Sequence, residues 1–149
     1  MSRTYWIFGC KLEILADEQD TAASYDLILG TLAPGVEIPL HKHHRYTESL
    51  VVMEGEITVF LEDSTHIVKP GEHVFIPKLT PHAVLSTGAT AAKVLTVASP
   101  SSFARLIRET GIPGRQDGAA PDLDNDLGSF VRISAELGDE LLGPPGTRP

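Results

Sequence analysis

Residues 35–48 read GVEIPLHKHHRYTE and place three histidines and a glutamate within eight positions. In a β-strand, side chains two positions apart share a face about 6 to 7 Å apart, so two imidazoles can reach one metal ion through bonds of ~2.1 Å. His41 and His43 meet this condition, whereas His44 points to the other face of a regular strand with Lys42. The stretch therefore predicts two inward ligands and one spare histidine.

Glu48 and His82 extend this pair to a candidate set of four ligands. Glu48 follows a short bend and opens the apolar strand SLVVM, where an inward carboxylate is costly unless it is paired or coordinated. A fourth ligand should come from elsewhere, and His82 begins a strand after the proline-bounded bend PKLTP. His66 and His73 match no ligand position and are interpreted as surface residues. Tyr46, in the bend between ligands, either lines the mouth of a pocket or packs internally.

Short strands separated by turn signals fill the chain before Pro100. Their spacing of roughly 8 to 12 residues is typical of an all-β sandwich or barrel. The predicted strands are 5–15, 25–31, 48–53, 57–61, 66–69, 73–77, 83–85 and 91–98. Several, such as SLVVM and HVFIP, are apolar at nearly every position, which indicates cover on both faces, so we expect a homodimer. Barrel filling rather than substrate contact is expected of Met53, Phe60 and Phe75.

The character of the chain changes after Pro100. Residues 101–110, SSFARLIRET, predict a helix, because apolar side chains recur at helical spacing between a hydroxyl N-cap and Gly111. A second amphipathic helix is predicted from Leu123, Leu127, Phe130, Val131 and Leu137. Both should pack on the barrel, since a lone short helix is marginal in water. We expect a barrel over residues 1–99 and a helical extension of the same domain over 100–149.

Composition and charge exclude several kinds of partner and location. The 149-residue chain has no apolar run near the ~20 residues that span a bilayer. It has no basic stripe, so contact with nucleic acid or an anionic membrane is not expected. Residues 1–20 lack the apolar core of a secretion signal, which favours a cytoplasmic location. The only cysteine, Cys10, excludes an intrachain disulfide and is interpreted as a small buried hydrophobe.

Residues 117–140 hold seven acidic residues and one basic residue, Arg132, in a chain whose net charge is −8. We interpret the acidic residues there as the solvated face of a helix. They are Asp117, Asp122, Asp124, Asp126, Glu136, Asp139 and Glu140.

The spacing of the site residues resembles the two motifs of the cupin superfamily. The first motif is matched without a mismatch, by Gly35, five residues, His41, one residue, His43, four residues, Glu48, six residues and Gly55. The second motif is matched at Gly71, Pro77 and His82. Leu79 stands at a glycine position of that motif and Ser86 at an asparagine position. These departures concern turn geometry and a polar contact, and they leave the ligand set intact.

The resemblance implies a cupin double-stranded β-helix, or jelly-roll barrel, with a metal ion inside. Carried over residue by residue, it implies that the ligands are His41, His43, Glu48 and His82. Three imidazoles and one carboxylate leave two positions of an octahedral shell open, and this set suits iron, manganese, nickel, cobalt, copper and zinc. The predicted cofactor is therefore a divalent transition metal whose identity the ligands do not choose.

The whole chain is similar to small single-domain cupins of the quercetin 2,3-dioxygenase-like group. The similarity lies in YWIFGCKLEIL before the barrel, LAPGVEIPLHKH at the first motif and LGPP near the end. It implies a dioxygenase that cleaves a flavonol-like or other enolic or aromatic small molecule with dioxygen, and in which Glu48 is the base that takes the substrate's hydroxyl proton. One alternative is a Lewis-acid cupin, such as a polyketide cyclase or an isomerase. The other is a cupin that binds a small molecule without catalysis.

Overall fold

Two antiparallel sheets enclose the interior of the protein in a computed structural model that describes residues 3–149. The elements are β1 (Thr4–Ile7), β2 (Cys10–Ala16), β3 (Asp26–Leu32), β4 (Glu37–His43), β5 (Thr47–Glu54), β6 (Ile57–Phe60), β7 (Thr65–Val68), β8 (His73–Ile76), β9 (His82–Ser86), β10 (Ala92–Ser99), α1 (Phe103–Thr110), β11 (Ile112–Pro113), α2 (Leu127–Glu136) and β12 (Asp139–Leu141). One sheet has the order β11-β1-β2-β3-β10-β5-β8 and the other β12-β4-β9-β6-β7. The predicted all-β architecture is confirmed.

Strand alternation places the core between the two sheets. In β3 and β10 every second side chain is buried. The buried apolar side chains of both sheets form one cluster, which includes Ile28, Leu32, Leu50, Val52, Ile57, Val59, Ile76 and Val84. Burial of one such side chain contributes about 1.5 to 3 kcal/mol to the free energy of unfolding. Cys10 belongs to this cluster, as predicted, and burial raises the pKa of its thiol to about 12.

Two turns at the ends of the strands that carry site residues require unusual backbone conformations. Gly55 has φ +74°, and a Cβ there would lie 2.6 Å from the Ala91 carbonyl oxygen, so only glycine fits. Leu79, at the motif's glycine position, keeps the glycine-like φ of +63°, which costs a non-glycine residue about 1 to 2 kcal/mol. Its N–H donates to the His43 carbonyl at 2.7 Å. The bend before β9 is thus tied to the strand that carries two of the histidines.

Residues 5–15 form a hairpin rather than the single strand predicted. Phe8 and Gly9 have φ values of 45° and 84°, as in a tight two-residue turn, and β1 pairs with β2 on either side of them. The turn is hard to see in the sequence because Gly9 is the only typical turn residue between the two strands.

The prediction that Met53 and Phe75 fill the barrel is wrong. Their side chains are 53% and 50% exposed on the seven-stranded sheet. In β8, Val74 and Ile76 are the buried neighbours, so alternation turns Phe75 outward. Phe60 is half-buried beneath the guanidinium of Arg148, which lies 3.9 Å from the ring centroid.

The segment after residue 99 contains two short strands besides the two helices that were predicted. β11 extends the seven-stranded sheet beside β1, and β12 extends the five-stranded sheet beside β4. Strands of two and three residues are too short to leave a period-2 pattern in the sequence. The division of the chain at residue 99 stays a prediction. Within residues 3–149, no helix is long and apolar enough to cross a membrane.

α2 buries only part of the predicted face, on which Leu137 is 4% exposed and Phe130 is half-buried. Its buried side carries the half-buried Phe130 and the buried Ser134. Because a serine occupies this side, hydrophobic periodicity does not reveal it. The residues placed on the apolar face but found exposed are Leu123, Leu127 and Val131.

The N-terminus of α1 is capped by Asp26 and not by the hydroxyl side chain that was predicted. Ser102 occupies the N-cap position, but its side chain makes no capping hydrogen bond. The fully buried Asp26 carboxylate, on β3, accepts the N–H groups of Ser102 and Ala104 at 2.9 and 2.8 Å, and also the Ser101 hydroxyl. A strand of the core therefore holds α1 in place.

Asp26→Ala should lower the free energy of unfolding by about 2 to 4 kcal/mol, because it leaves two backbone donors without their acceptor. Ser102→Ala is the matched control and should change it by less than about 0.5 kcal/mol. Urea denaturation followed by circular dichroism measures both values. Similar losses in the two variants would contradict capping by Asp26.

Candidate metal centre

Side chains from both sheets converge at one point between them. His41 and His43 lie on β4, and His82 opens β9 directly opposite His41, so the three imidazoles come from the five-stranded sheet. Glu48 lies on β5 of the seven-stranded sheet. The candidate ligand atoms of the four residues lie within 4.8 Å of one another. The fold thus brings together all four residues that the sequence singled out, and their role as ligands stays a prediction.

Three of the four residues are almost inaccessible to water. His43, Glu48 and His82 are 4%, 6% and 0% exposed, whereas His41 is partly exposed. A buried carboxylate beside three imidazoles is costly without compensating charge. Of the four residues, His41 is the one in contact with solvent.

Hydrogen bonds at Nδ1 set the orientation of two imidazoles. His41 Nδ1 donates to the Pro39 carbonyl at 2.6 Å, and His82 Nδ1 donates to the Thr80 carbonyl at 2.9 Å. A carbonyl oxygen only accepts, so Nδ1 carries the proton in both rings. Nε2 of each ring is thereby left as the nitrogen that can bind a metal.

The third imidazole is oriented by a carboxylate and an aromatic ring. His43 Nδ1 lies 2.6 Å from Asp139 Oδ1 on β12. Tyr46 stacks on the His43 ring with 4.2 Å between centroids, and its hydroxyl donates to Asp139 Oδ2 at 3.3 Å. Tyr46 is fully buried, so of the two expected roles it has the packing one.

The contacts of Glu48 test whether the cluster suits a metal ion. Its Oε2 atom lies 3.0 Å from His82 Nε2 and 3.1 Å from His43 Nε2. The second contact is not aligned as a hydrogen bond, and the buried His43 Nε2 has no hydrogen-bond partner. Two ligands bound at ~2.1 Å and at right angles lie about 3.0 Å apart. The donor types, the spacing and the unpartnered nitrogen all fit a divalent metal ion.

The charges in the cluster are strongly coupled. Burial lowers the pKa of His43, but Glu48 and Asp139 outweigh it and raise this pKa to about 10. Burial raises the pKa of Glu48, but His43 and His82 outweigh it and hold this pKa well below its usual range. Burial, reinforced by the other two imidazoles, lowers the pKa of His41 well below its ordinary value. The carboxylate is thus ionised and requires a positive charge beside it.

The histidines outside the cluster lie where the sequence placed them. His44 is exposed, and its Nε2 lies 2.9 Å from Glu140 Oε2. His66 and His73 are exposed on β7 and β8. The alternation of β4 therefore separates His43 from His44 as predicted.

Sequence reasoning missed Asp139, which it assigned to a solvated helix face. That prediction is wrong for this residue, because Asp139 lies on β12 and is 6% exposed. It follows Gly138, which has φ +82° and turns the chain from α2 into the strand. A strand of three residues offers no periodic signal that could have separated this acid from its neighbours.

One family model matches the segment of the chain that holds the candidate site. Residues 28–98 match the family model described as the cupin domain, and this segment holds all four clustered residues. This segment is therefore similar to a cupin domain.

Two curated relatives share part of the sequence. The chain is 25% identical over 79 residues to quercetin 2,3-dioxygenase of Bacillus subtilis, which is 52% of this chain and 23% of that protein. It is 32% identical over 66 residues to an uncharacterised protein of Methanocaldococcus jannaschii, which is 44% of this chain and 53% of that protein. The chain thus spans less than two thirds of either relative.

Solved structures share the fold. KdgF from Halomonas sp. gives a TM-score of 0.56 at 22% identity, over 62% of this chain and 81% of that one. The polyketide cyclase RemF from Streptomyces resistomycificus gives a TM-score of 0.56 at 24% identity, over 81% of this chain and 78% of that one. Oxalate oxidase in complex with glycolate gives a TM-score of 0.54 at 26% identity, over 62% of this chain and 52% of that one. The jelly-roll fold expected from the resemblance is confirmed.

His82→Ala should reduce the metal content of the purified protein from about one divalent ion per chain to less than about 0.2, because it removes one of four ligands. His44→Ala is the matched control and should leave the metal content unchanged, since His44 lies outside the cluster. Elemental analysis of both variants beside wild type measures this. Full metal content in His82→Ala would refute the site.

Proposed function

We propose that this chain, which is similar to a cupin domain over residues 28–98, is a metal-dependent dioxygenase that cleaves a flavonol-like or other enolic or aromatic small molecule. The observation that carries the proposal is the convergence of three imidazoles and the Glu48 carboxylate, with the His43 Nε2 atom left unpartnered. Sequence similarity to quercetin 2,3-dioxygenase supports the choice of reaction. A cytoplasmic location stays a prediction from the sequence.

The four clustered residues would hold one divalent transition metal. When bound, it would supply Lewis acidity toward a substrate oxygen and, if redox-active, electron transfer with dioxygen. The imidazoles of His41 and His82 each donate the Nδ1–H to a backbone carbonyl, so Nε2 is the nitrogen available to the metal. Burial of three of the four residues keeps bulk water from the reacting groups and strengthens every charge interaction there.

Glu48 is the proposed base. Its low pKa keeps it ionised at neutral pH, so its Oε2 atom is free of a proton, and a bound metal would ease the transfer by lowering the pKa of the enol or phenol hydroxyl. That atom lies 3.1 Å from His43 Nε2 and 3.0 Å from His82 Nε2, which places it at the centre of the site. The substrate would approach past the partly exposed His41.

A Lewis-acid cupin that cyclises or isomerises its substrate without dioxygen is the alternative. The likeness to RemF extends over 81% of this chain, compared with 62% for oxalate oxidase. At 24% identity this likeness concerns the fold alone, and the ligand set serves both chemistries. A cupin that binds a small molecule without catalysis is the second alternative.

A homodimer through the outer face of the seven-stranded sheet is also proposed. Leu29, Leu95 and Val51 stand opposite one another across β3, β10 and β5 on this face. All three are partly exposed, and the exposed Phe75 extends the patch at the edge strand β8. A second copy would cover this apolar surface symmetrically.

Phe75→Lys should convert the dimer to a monomer at micromolar concentration, because it places a charge in the apolar interface. Ile67→Lys is the matched control, since Ile67 is also exposed, at 59%, but lies on the five-stranded sheet. Sedimentation equilibrium measures the mass of both variants. A monomeric wild type would contradict the proposal.

Glu48→Gln should lower turnover by about 100-fold or more while metal content falls by less than half, because it removes the base but keeps an oxygen ligand. His82→Ala, by contrast, should lower both. Steady-state rates and elemental analysis on the same samples separate the two effects. Wild-type turnover in Glu48→Gln would exclude Glu48 as the base.

Turnover of the true substrate should consume dioxygen in proportion to product. The protein is reconstituted with each candidate metal and supplied with a panel of flavonols and other enolic aromatics. Oxygen uptake is then compared with the amount of product formed. A substrate that turns over without oxygen uptake would favour the Lewis-acid alternative and exclude the dioxygenase.

A further inference from the structure

The C-terminal strand β12 brings a buried carboxylate to the candidate metal centre. Asp139 stands opposite His43 in the pairing of β12 with β4, and its Oδ1 atom lies 2.6 Å from His43 Nδ1. From these contacts we infer that Asp139 is a positioning residue that fixes the tautomer and ring orientation of His43 for metal binding, which makes the C-terminal extension part of the metal centre. This inference rests on the proposed function, because it requires His43 to be a ligand.

His43 differs from the other two clustered histidines in its partner. His41 and His82 donate to neutral backbone carbonyls, whereas His43 donates to a carboxylate. A carboxylate makes the imidazole a more basic ligand and holds the proton on Nδ1, so Nε2 faces the metal. The matching observation is that His43 Nε2 is buried in the cluster with no hydrogen-bond partner.

Tyr46 locks the carboxylate in place. Its hydroxyl donates to Asp139 Oδ2 at 3.3 Å while its ring stacks on His43. Both oxygens of Asp139 are thus engaged, and the His43 ring is held by a hydrogen bond at one edge and by packing on one face. This arrangement leaves the imidazole little freedom to rotate away from the cluster.

The backbone of β12 is fastened to β4 on both sides of Asp139. The His44 N–H donates to the Gly138 carbonyl at 2.8 Å, and the Leu142 N–H donates to the Leu40 carbonyl at 2.8 Å. The neighbouring Glu140 points outward and pairs with His44. Asp139 and Glu140 therefore lie on one strand, one toward the metal centre and one toward solvent, and form a natural pair for comparison.

The test compares three variants of the full chain: Asp139→Ala, Asp139→Asn and Glu140→Gln. Competition with a chromophoric chelator gives the affinity for Zn²⁺, and visible absorption of the Co²⁺-loaded protein reports the ligand geometry. Asp139→Ala should weaken Zn²⁺ binding about 10- to 100-fold and shift the Co²⁺ spectrum. Asp139→Asn, whose amide oxygen can still accept from His43, should give an intermediate loss, and Glu140→Gln should stay within about twofold of wild type.

Circular dichroism and thermal unfolding of the metal-free variants show whether each one folds. If Asp139→Ala does not, Asp139→Asn, which keeps the shape of the side chain, decides the matter. Wild-type affinity and a wild-type Co²⁺ spectrum in the folded Asp139 variants would overturn the inference and leave the proposed function standing. Equal weakening in Glu140→Gln would also overturn it, because the effect would then belong to the strand. A wild-type protein that binds neither metal would overturn both.

Discussion

The structure depends on the cluster of one carboxylate and three imidazoles between the two sheets, where the groups are largely shielded from water. Glu48 extends from one sheet and the three imidazoles from the other, so the electron-rich donor atoms of both sheets lie close together and repel one another. A cation bound at their centre would offset this repulsion, because each donor atom would be attracted to the same positive charge. The rest of the fold serves to hold the four groups at that separation. The core between the sheets sets the distance, and the bends at Gly55 and Leu79 set where the ligand strands begin and end.

The sequence predicted the site because the site follows strand alternation. His41 and His43 share a face and His44 does not, which needs regular alternation only from His41 onward, after the register shift in β4. Motif spacing supplied Glu48 and His82, although they lie on different strands. The same alternation explains why Phe75 was misjudged, since its apolar character suggested burial while its place between Val74 and Ile76 turns it outward.

What the sequence could not predict depends on contacts between distant segments. Asp26 caps a helix that begins more than seventy residues later, and Asp139 meets a histidine almost a hundred residues before it. Each is one acid among several, and neither carries a local pattern. The sequence favoured a hydroxyl side chain as the N-cap of α1 and a solvated helix face for the C-terminal acids. Tertiary contacts decided both cases differently. The roles that matter most around the site were therefore visible only in three dimensions.

The most direct test of the central claim is anomalous diffraction from crystals of the full chain grown with Co²⁺ or Zn²⁺. The account predicts one anomalous peak per chain between the sheets, about 2.1 Å from Nε2 of His41, His43 and His82 and from a carboxylate oxygen of Glu48. A peak at the exposed His44 and Glu140 pair, or no peak within the cluster, would contradict it.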